Sequence, residues 1–308
     1  MSKFAIYNYN FLRIIEPNEE HQLEFPDWEN VNVKESFENR QQLLEELLLA
    51  DFEKPFPFEN ARKKPYWHIQ IVKPQDNVYV MRVANVTNVT ITDEHLLSQK
   101  YADYRNCLVI IDNRPGIQRI AIEQKTMAFS HTKTVANILE ASFCKLLKSK
   151  LLKVKLSAVY GTNVFWETLG KYPKGFSKVT FHFPHLNLDR LTKVMDKYLT
   201  TAREDWDSDL DFTFGANEGG AVKIDRNNQR QTALIAGASG AGAWIKMLPK
   251  GEKGKAILCG KDQYVVRELD SEVFNDLAIG AQPLPGMGQS AMDKVKVFMK
   301  DMPDVFTH

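Results

Sequence analysis

Apolar and polar residues alternate over most of the first 125 positions, and this two-residue period predicts β-strands. The alternating segments are FAIYNYNFLRI, YWHIQIV and NVYVMRVANVTNVTIT, at residues 4–14, 66–72 and 77–92. CLVIIDNRPGIQRIAIEQ, at 107–124, holds two β-branched runs around Asn-Arg-Pro-Gly and predicts a hairpin. One helix is predicted at 33–52, where leucines form an apolar stripe. The pattern indicates a meander of antiparallel strands with one packed helix.

The period changes to that of an amphipathic helix at Thr132. Residues 132–151 place apolar side chains near one face of this helix and lysines on the opposite face. LKVKLSAVYG follows at 152–161 and predicts a strand with one apolar and one basic face. Further strands are predicted at 176–185, 209–214, 221–227, 231–237, 243–249, 255–260 and 263–269, and helices at 187–205, 271–280 and 290–302.

These elements predict an α+β fold with predominantly antiparallel sheets and a few packed amphipathic helices. We expect two domains, an N-terminal strand-rich α+β domain at 1–130 and a basic α+β domain with C-terminal helices at 131–308. No apolar run approaches the roughly 20 residues that a membrane helix needs. The N-terminus lacks the basic-then-apolar order of a signal peptide, so a cytoplasmic location is expected.

The charge is unevenly distributed along the chain, although its net value is only +1. Residues 133–255 carry 20 Lys and Arg against 12 Asp and Glu, whereas the flanking segments are acidic. A concentrated positive segment is typical of a surface that binds a polyanion such as double-stranded DNA or another nucleic acid. The alternative is a protein–protein scaffold whose basic face meets an acidic subunit.

Nine basic residues are our candidates for contacts with nucleic-acid phosphates. They are Lys145, Lys148, Lys153, Lys155, Lys174, Lys178, Lys223, Arg226 and Arg230. The sequence contains no helix-turn-helix, zinc-finger, RNP or KH signature, so we expect recognition of backbone and shape rather than of sequence.

A glycine-rich stretch, ALIAGASGAGAWIKML at 233–248, has the general appearance of a phosphate-binding loop. A P-loop requires Lys and Ser or Thr after its last glycine, but here Ala243 and Trp244 follow Gly242. A dinucleotide-binding loop requires a helix next, whereas the following segment alternates and ends at Pro249. We therefore expect a tight turn between antiparallel strands and no bound cofactor.

Three alternating carboxylates support a different class of function. Asp207, Asp209 and Asp211 would share one face of a strand, as the metal ligands of nucleases and nucleotidyl-transfer enzymes do. A solvated loop entering a strand explains the same pattern, so we assign no catalytic or metal-binding residue. The three cysteines have neither metal-site nor disulfide-framework spacing, which predicts plain thiols.

The order of segments between about residues 105 and 260 resembles the RexA phage-exclusion proteins and the KwaB proteins of the Kiwa anti-phage system. The segments concerned are NCLVIIDNRPGIQRIAIEQ, TVANILEASFCKLL, LKVKLSAVYG, FSKVTFHF and AVKIDRNNQRQTALIAG. The resemblance implies a cytosolic α+β homodimer that binds duplex DNA non-specifically and acts with a membrane-protein partner. It transfers no catalytic residue, because neither family has an active-site motif that this chain matches.

Overall fold

A computed structural model gives the fold of the chain. It describes residues 1–14, 33–50, 56–59, 65–72, 74–114, 117–183, 210–238, 243–251, 255–259, 264–270, 274 and 287–300. The strands are β1 (Ser2–Arg13), β2 (Phe56–Glu59), β3 (Pro65–Gln70), β4 (Val78–Thr92), β5 (Ser98–Asp112), β6 (Arg119–Glu123), β7 (Leu152–Ala158), β8 (Phe176–Phe183), β9 (Leu210–Gly215), β10 (Trp244–Pro249), β11 (Ile257–Leu258) and β12 (Val266–Leu269). The helices are α1 (Val33–Glu38), α2 (Arg40–Ala50), α3 (Thr132–Leu147), α4 (Thr162–Gly170), α5 (Gln229–Gly237) and α6 (Met287–Lys300).

The chain divides into two compact units. Unit 1 comprises Met1–Ala5, Phe11–Lys155 and Val266–Asp301, and unit 2 comprises Ile6–Asn10, Leu156–Val265 and Met302–His308. Residues 131–155 thus belong to unit 1, while the division expected at residue 130 stays a prediction. Within the part of the chain that the structure describes, no helix has the length and apolar character needed to cross a membrane.

Unit 1 is built on the larger sheet, whose strand order is β12-β1-β6-β5-β4-β3-β2, with β7 also pairing with β1. The pairings β12–β1, β6–β5, β5–β4, β4–β3 and β3–β2 are antiparallel. Near the centre of this sheet both faces are buried, so Val80, Ile110 and Ile111 have no exposed surface. This explains why the middle strands contain near-continuous β-branched runs rather than strict alternation.

Two amphipathic helices supply much of the rest of the unit 1 core. Helix α3 buries Val135, Ile138, Leu139 and Phe143 at helical spacing. Helix α6 buries Met292, Val295, Phe298 and Met299, and the Phe298 ring meets the Phe4 ring edge-on at 5.7 Å between centroids. Each helix therefore buries the stripe that its sequence period predicts.

Unit 2 contains a four-stranded sheet with the order β11-β10-β8-β9, and each of its pairings is antiparallel. One face of the sheet is buried, through Val179 and Phe181 of β8 and Ile245 and Met247 of β10. Helices α4 and α5 contribute Phe165, Leu234 and Ile235 to the same core cluster. The predicted α+β class with predominantly antiparallel sheets is confirmed in both units.

Three details of unit 2 differ from the sequence-based prediction. The strand predicted at 231–237 is wrong, because this segment lies in helix α5, whose first turn is capped by the Asn228 side chain. A five-residue apolar run fits a strand or a helix equally well, and here the cap and the preceding polar residues favour the helix. No strand forms at 221–227, and helix α4 was not predicted. The predicted helix at 187–205 and most of the one at 271–280 lie outside the described residues.

Candidate nucleic-acid interface

All nine candidate phosphate contacts lie on exposed side chains, but they are divided between the two units. The unit 1 lysine cluster consists of Lys145, Lys148, Lys153 and Lys155. The other five candidates, Lys174, Lys178, Lys223, Arg226 and Arg230, belong to unit 2. Lys178 projects from the sheet face opposite the core, so the unit 2 basic surface consists of Lys174, Lys223, Arg226 and Arg230, to which the structure adds Lys250. Each set has its own local geometry.

The unit 1 lysine cluster lies where the end of α3 meets β7. The Cys144 thiol lies 3.3 Å from the Val154 amide nitrogen and 3.2 Å from the Val154 carbonyl oxygen, which brings the helix against the strand. The alternation of β7 buries Leu152, Val154 and Leu156 and turns Lys153 and Lys155 outward. The period read from LKVKL thus placed the two lysines of this strand on its exposed face.

One lysine of this cluster already has an acidic partner. The Nζ of Lys155 lies 2.8 Å from Oε1 of Glu140, one turn before Cys144 on α3. Burial raises the pKa of the Cys144 thiol above its usual value; the Val154 hydrogen bond and the charges of Lys153 and Lys155 offset part of this rise, and the charge of Glu140 adds to it.

The unit 2 basic surface is organised around a tight turn at Gly175. The Gly175 amide donates to the Tyr172 carbonyl, and the Lys250 amide donates to the Gly175 carbonyl at 2.9 Å. On the other side, the Val222 amide donates to the Phe176 carbonyl at 2.8 Å. These bonds hold three backbone segments side by side, and the segments carry Lys174, Lys250 and Lys223, respectively.

The basic surface continues from Lys223 to the start of α5. The Gln231 side chain donates to the Lys223 carbonyl at 3.2 Å and accepts from the Asp225 amide at 2.7 Å, which fixes the connection before the helix. The Arg226 guanidinium lies over the Trp166 ring of α4, 5.2 Å from the ring centroid. Such stacking holds the guanidinium in place while its edge donors stay available.

Acidic side chains offset only part of this charge. Glu218 and Asp225 are exposed and lie in the segment that carries Lys223. The Asp225 carboxylate accepts from the Asn227 amide at 2.9 Å, and the Lys250 ammonium donates to the Gly219 carbonyl at 2.5 Å. Among the described residues, the five cations of the surface therefore exceed these two carboxylates.

The face of the unit 2 sheet opposite the core carries rows of aligned polar and aromatic side chains that the sequence analysis did not predict. Its cross-strand rows are Asp211–His182–Trp244, Thr213–Thr180–Lys246 and Gly215–Lys178–Leu248. The His182 Nδ1 lies 2.7 Å from Asp211 Oδ1, and the His182 ring stacks on Trp244 at 4.6 Å between centroids. The alternation in FSKVTFHF and WIKML could have revealed this face, but the cross-strand register could not be read from the sequence.

Of the three alternating carboxylates, the structure describes Asp211. Asp207 and Asp209 lie outside the described residues, and Asp211 is held by His182 on the exposed face of β9. Among the residues that the structure describes, no group of three or more His, Cys, Asp or Glu is arranged to hold a metal ion. The nuclease alternative stays a prediction. The glycine loop at 239–242 also lies outside the described residues, but helix α5 and not a strand precedes it, so the expected turn between two antiparallel strands is wrong.

The fold defines the chain as an α+β protein with mostly antiparallel strands in two sheets. No protein-family model matches the sequence, and no curated protein matches it either.

Proposed function

We propose that this protein binds nucleic acid without sequence specificity, with double-stranded DNA as the first candidate, through lysine and arginine contacts to phosphates. The observation that carries the proposal is that the backbone segments bearing Lys174, Lys223 and Lys250 are hydrogen-bonded to one another around the Gly175 turn. These lysines are far apart along the chain, but backbone hydrogen bonds hold the segments that carry them side by side. Phosphate binding by such a surface needs no base-reading motif.

The salt dependence of affinity follows from the number of phosphates neutralised. If each of the five basic side chains of the unit 2 surface neutralised one phosphate, the slope of log K against log salt would be about −4.5. Affinity would then fall about five-hundredfold between roughly 50 and 200 mM salt. Lys250 and Arg226 have intramolecular contacts, so the Lys174 and Lys223 contributions are the better ones to test.

The experiment is a fluorescence-anisotropy titration of a labelled duplex, repeated over a series of salt concentrations. We expect tight binding at low salt, similar affinity for duplexes of unrelated sequence, and a slope shallower by about 2 in the double variant Lys174→Gln, Lys223→Gln. The matched control is Lys3→Gln, Lys100→Gln, which removes the same charge from exposed residues of unit 1. Absent or salt-independent binding, or equal weakening by the control, would refute the proposal.

A separate pair of substitutions tests the unit 1 lysine cluster. Lys148→Gln with Lys153→Gln leaves the Lys155–Glu140 ion pair in place. If this cluster also contacts phosphates, the slope again becomes shallower by about 2. An unchanged slope would remove unit 1 from the interface and leave the unit 2 surface as the proposed site.

The proposed cellular setting is phage exclusion or defence in the cytoplasm, as a homodimer acting with a membrane-protein partner. This part rests on the resemblance in segment order to the RexA and KwaB families. A neighbouring gene that encodes several membrane helices, together with loss of phage protection in the Lys174→Gln, Lys223→Gln variant, is the expected result. An expressed, DNA-binding protein that gives no protection against any phage tested would contradict this setting.

A further inference from the structure

The face of the unit 2 sheet opposite the core brings an aromatic pair and two lysines together on neighbouring strands. We call it the aromatic–lysine face, and the side chains that matter here are Lys178, Thr180, His182, Trp244, Lys246 and Leu258. The unit 2 basic surface around Gly175 does not include these residues. The face is therefore a separate feature of unit 2 that the proposed function does not use.

The aromatic pair is a stack that crosses two strands. His182 of β8 and Trp244 of β10 are directly opposed residues, and their rings are nearly parallel, with 12° between the planes and 4.6 Å between the centroids. On β9, Oδ1 of Asp211 lies 2.7 Å from Nδ1 of His182, which holds the imidazole ring in place. One face of the Trp244 indole is thus covered by His182, and its other face is directed away from β8, towards the β11 side.

On that side, the described part of β11 ends before it reaches Trp244. Strand β11 pairs with β10 at Lys246 and Met247, and Trp244 lies two residues before Lys246. Trp244 is half-buried, and the Leu258 side chain, opposite Lys246, is 41% exposed. A planar ring placed against the indole would extend the stack by one layer and lie near an exposed leucine.

The two lysines lie next to this stack. Lys246 is two residues after Trp244 and shares its face of β10. Lys178 lies diagonally across from Lys246, because Lys246 is opposed by Thr180, and such diagonal neighbours are roughly 7–8 Å apart. Both lysines are exposed, and among the described residues neither forms an ion pair. Two like charges at this spacing repel each other, and a bound anion offsets that repulsion.

Charge and ring geometry together select the kind of ligand. Among the described strand residues of this face, Asp211 is the only carboxylate, and it is engaged by His182. Nucleotides carry both a phosphate for a lysine and a planar base for an aromatic ring. In a duplex the faces of each base are covered by the neighbouring base pairs, so unpaired bases are the ones that stack on protein rings. An acidic peptide would satisfy the lysines but leave the indole face unused.

We propose that the aromatic–lysine face binds single-stranded nucleic acid, with a base stacked on Trp244 and phosphates held by Lys246 and Lys178. The face measures about 14 Å across its four strands and about 13 Å from Trp244 to Leu248. This area suits about two or three nucleotides. The Thr180 and Thr213 hydroxyls, 3.1 Å apart beside Lys246, offer hydrogen bonds to the sugar–phosphate backbone. The proposal does not depend on duplex binding by the unit 2 basic surface.

The test compares two labelled single strands of equal length by fluorescence anisotropy, oligo-dT and a strand whose nucleotides are abasic. The two strands carry the same phosphates, so a difference in affinity reports contacts with bases. We expect oligo-dT to bind about fivefold to a hundredfold more tightly. Trp244→Leu should remove most of this preference. The matched control, Trp67→Leu, replaces a half-buried tryptophan on a strand of unit 1 and should leave the preference unchanged.

The lysines are tested by the salt dependence of binding. Lys178→Gln with Lys246→Gln should weaken both strands and make the slope of log K against log salt shallower by about 1.4. Lys174→Gln with Lys223→Gln should weaken duplex binding and leave the preference for oligo-dT over the abasic strand intact, so the two proposals can fail separately.

The comparison of the two strands in the unmodified chain does not require any variant to fold. Equal affinity for oligo-dT and the abasic strand, or binding of neither strand, would overturn the proposal. A preference that survives Trp244→Leu would also overturn it. An acidic peptide that binds with a dependence on Lys178 and Lys246, while oligo-dT does not bind, would overturn it in favour of a protein partner.

Discussion

Replacing Gly175 with alanine perturbs the turn that organises the unit 2 basic surface. Gly175 has a φ of +72°, and a Cβ added there would lie 3.0 Å from the Cβ of Ala221. A left-handed conformation costs an L-residue about 1–2 kcal/mol. The contact is closer than two carbon atoms normally approach, so either the turn or the Ala221 segment must shift. We expect Gly175→Ala to lower the free energy of unfolding by about 2–3 kcal/mol.

Two other glycines distinguish the cost of the left-handed conformation from the cost of the contact with Ala221. Gly219 has a φ of +70° with open space around its Cβ position. Gly219→Ala should therefore lower the free energy of unfolding by only about 1–2 kcal/mol, which is the cost of the left-handed conformation. Gly170, the last residue of α4, has neither a positive φ nor a nearby atom. Gly170→Ala should stabilise the protein by up to about 1 kcal/mol, because alanine has less freedom to lose on folding.

The assay is urea unfolding followed by tryptophan fluorescence, with the three variants and the unmodified chain compared at equal concentration. The expected order of stability is Gly170→Ala, unmodified chain, Gly219→Ala and Gly175→Ala. The reasoning is refuted if Gly175→Ala unfolds at the same urea concentration as Gly219→Ala, since the contact with Ala221 would then cost nothing.

Two further predictions concern buried groups that titrate abnormally. The Tyr160 hydroxyl donates to the Ala238 carbonyl, so Tyr160→Phe should cost about 1–2 kcal/mol of unfolding free energy. Burial also raises the Tyr160 pKa far above its usual value of 10, so this stabilisation is present below pH 10 and falls at higher pH. In urea titrations above pH 10, the free energy of unfolding should fall less steeply with pH in Tyr160→Phe than in the unmodified chain. An identical pH profile would contradict this. Burial raises the pKa of the Cys107 thiol to about 12, which leaves roughly one thiolate in ten thousand at about pH 8. Iodoacetamide should therefore alkylate Cys107 far more slowly in the native than in the urea-unfolded chain by peptide mass mapping, and equal rates would contradict burial of this thiol.

Local patterning predicted many of the elements, because strand and helix periods depend on which side chains must be buried. LKVKL predicted the outward Lys153 and Lys155, and the alternation in WIKML predicted β10. The segment at 231–237 was misread because five apolar residues carry no decisive period. The Asn228 cap that determines its helical start lies upstream of the run itself.

The sequence alone determined the α+β class, the concentration of positive charge and the exposed positions of the candidate lysines, because each depends on residues close together along the chain. Only the tertiary structure decided which lysines are neighbours. Lys174, Lys223 and Lys250 are up to 76 residues apart along the chain, and backbone hydrogen bonds around Gly175 hold the segments that carry them side by side. The tertiary structure also decided that β4 and β5 extend beyond the strands beside them and leave Ile91 and Tyr101 exposed. Alternation predicts that a strand has an apolar face, but whether that face is covered depends on where the adjacent strands and helices end.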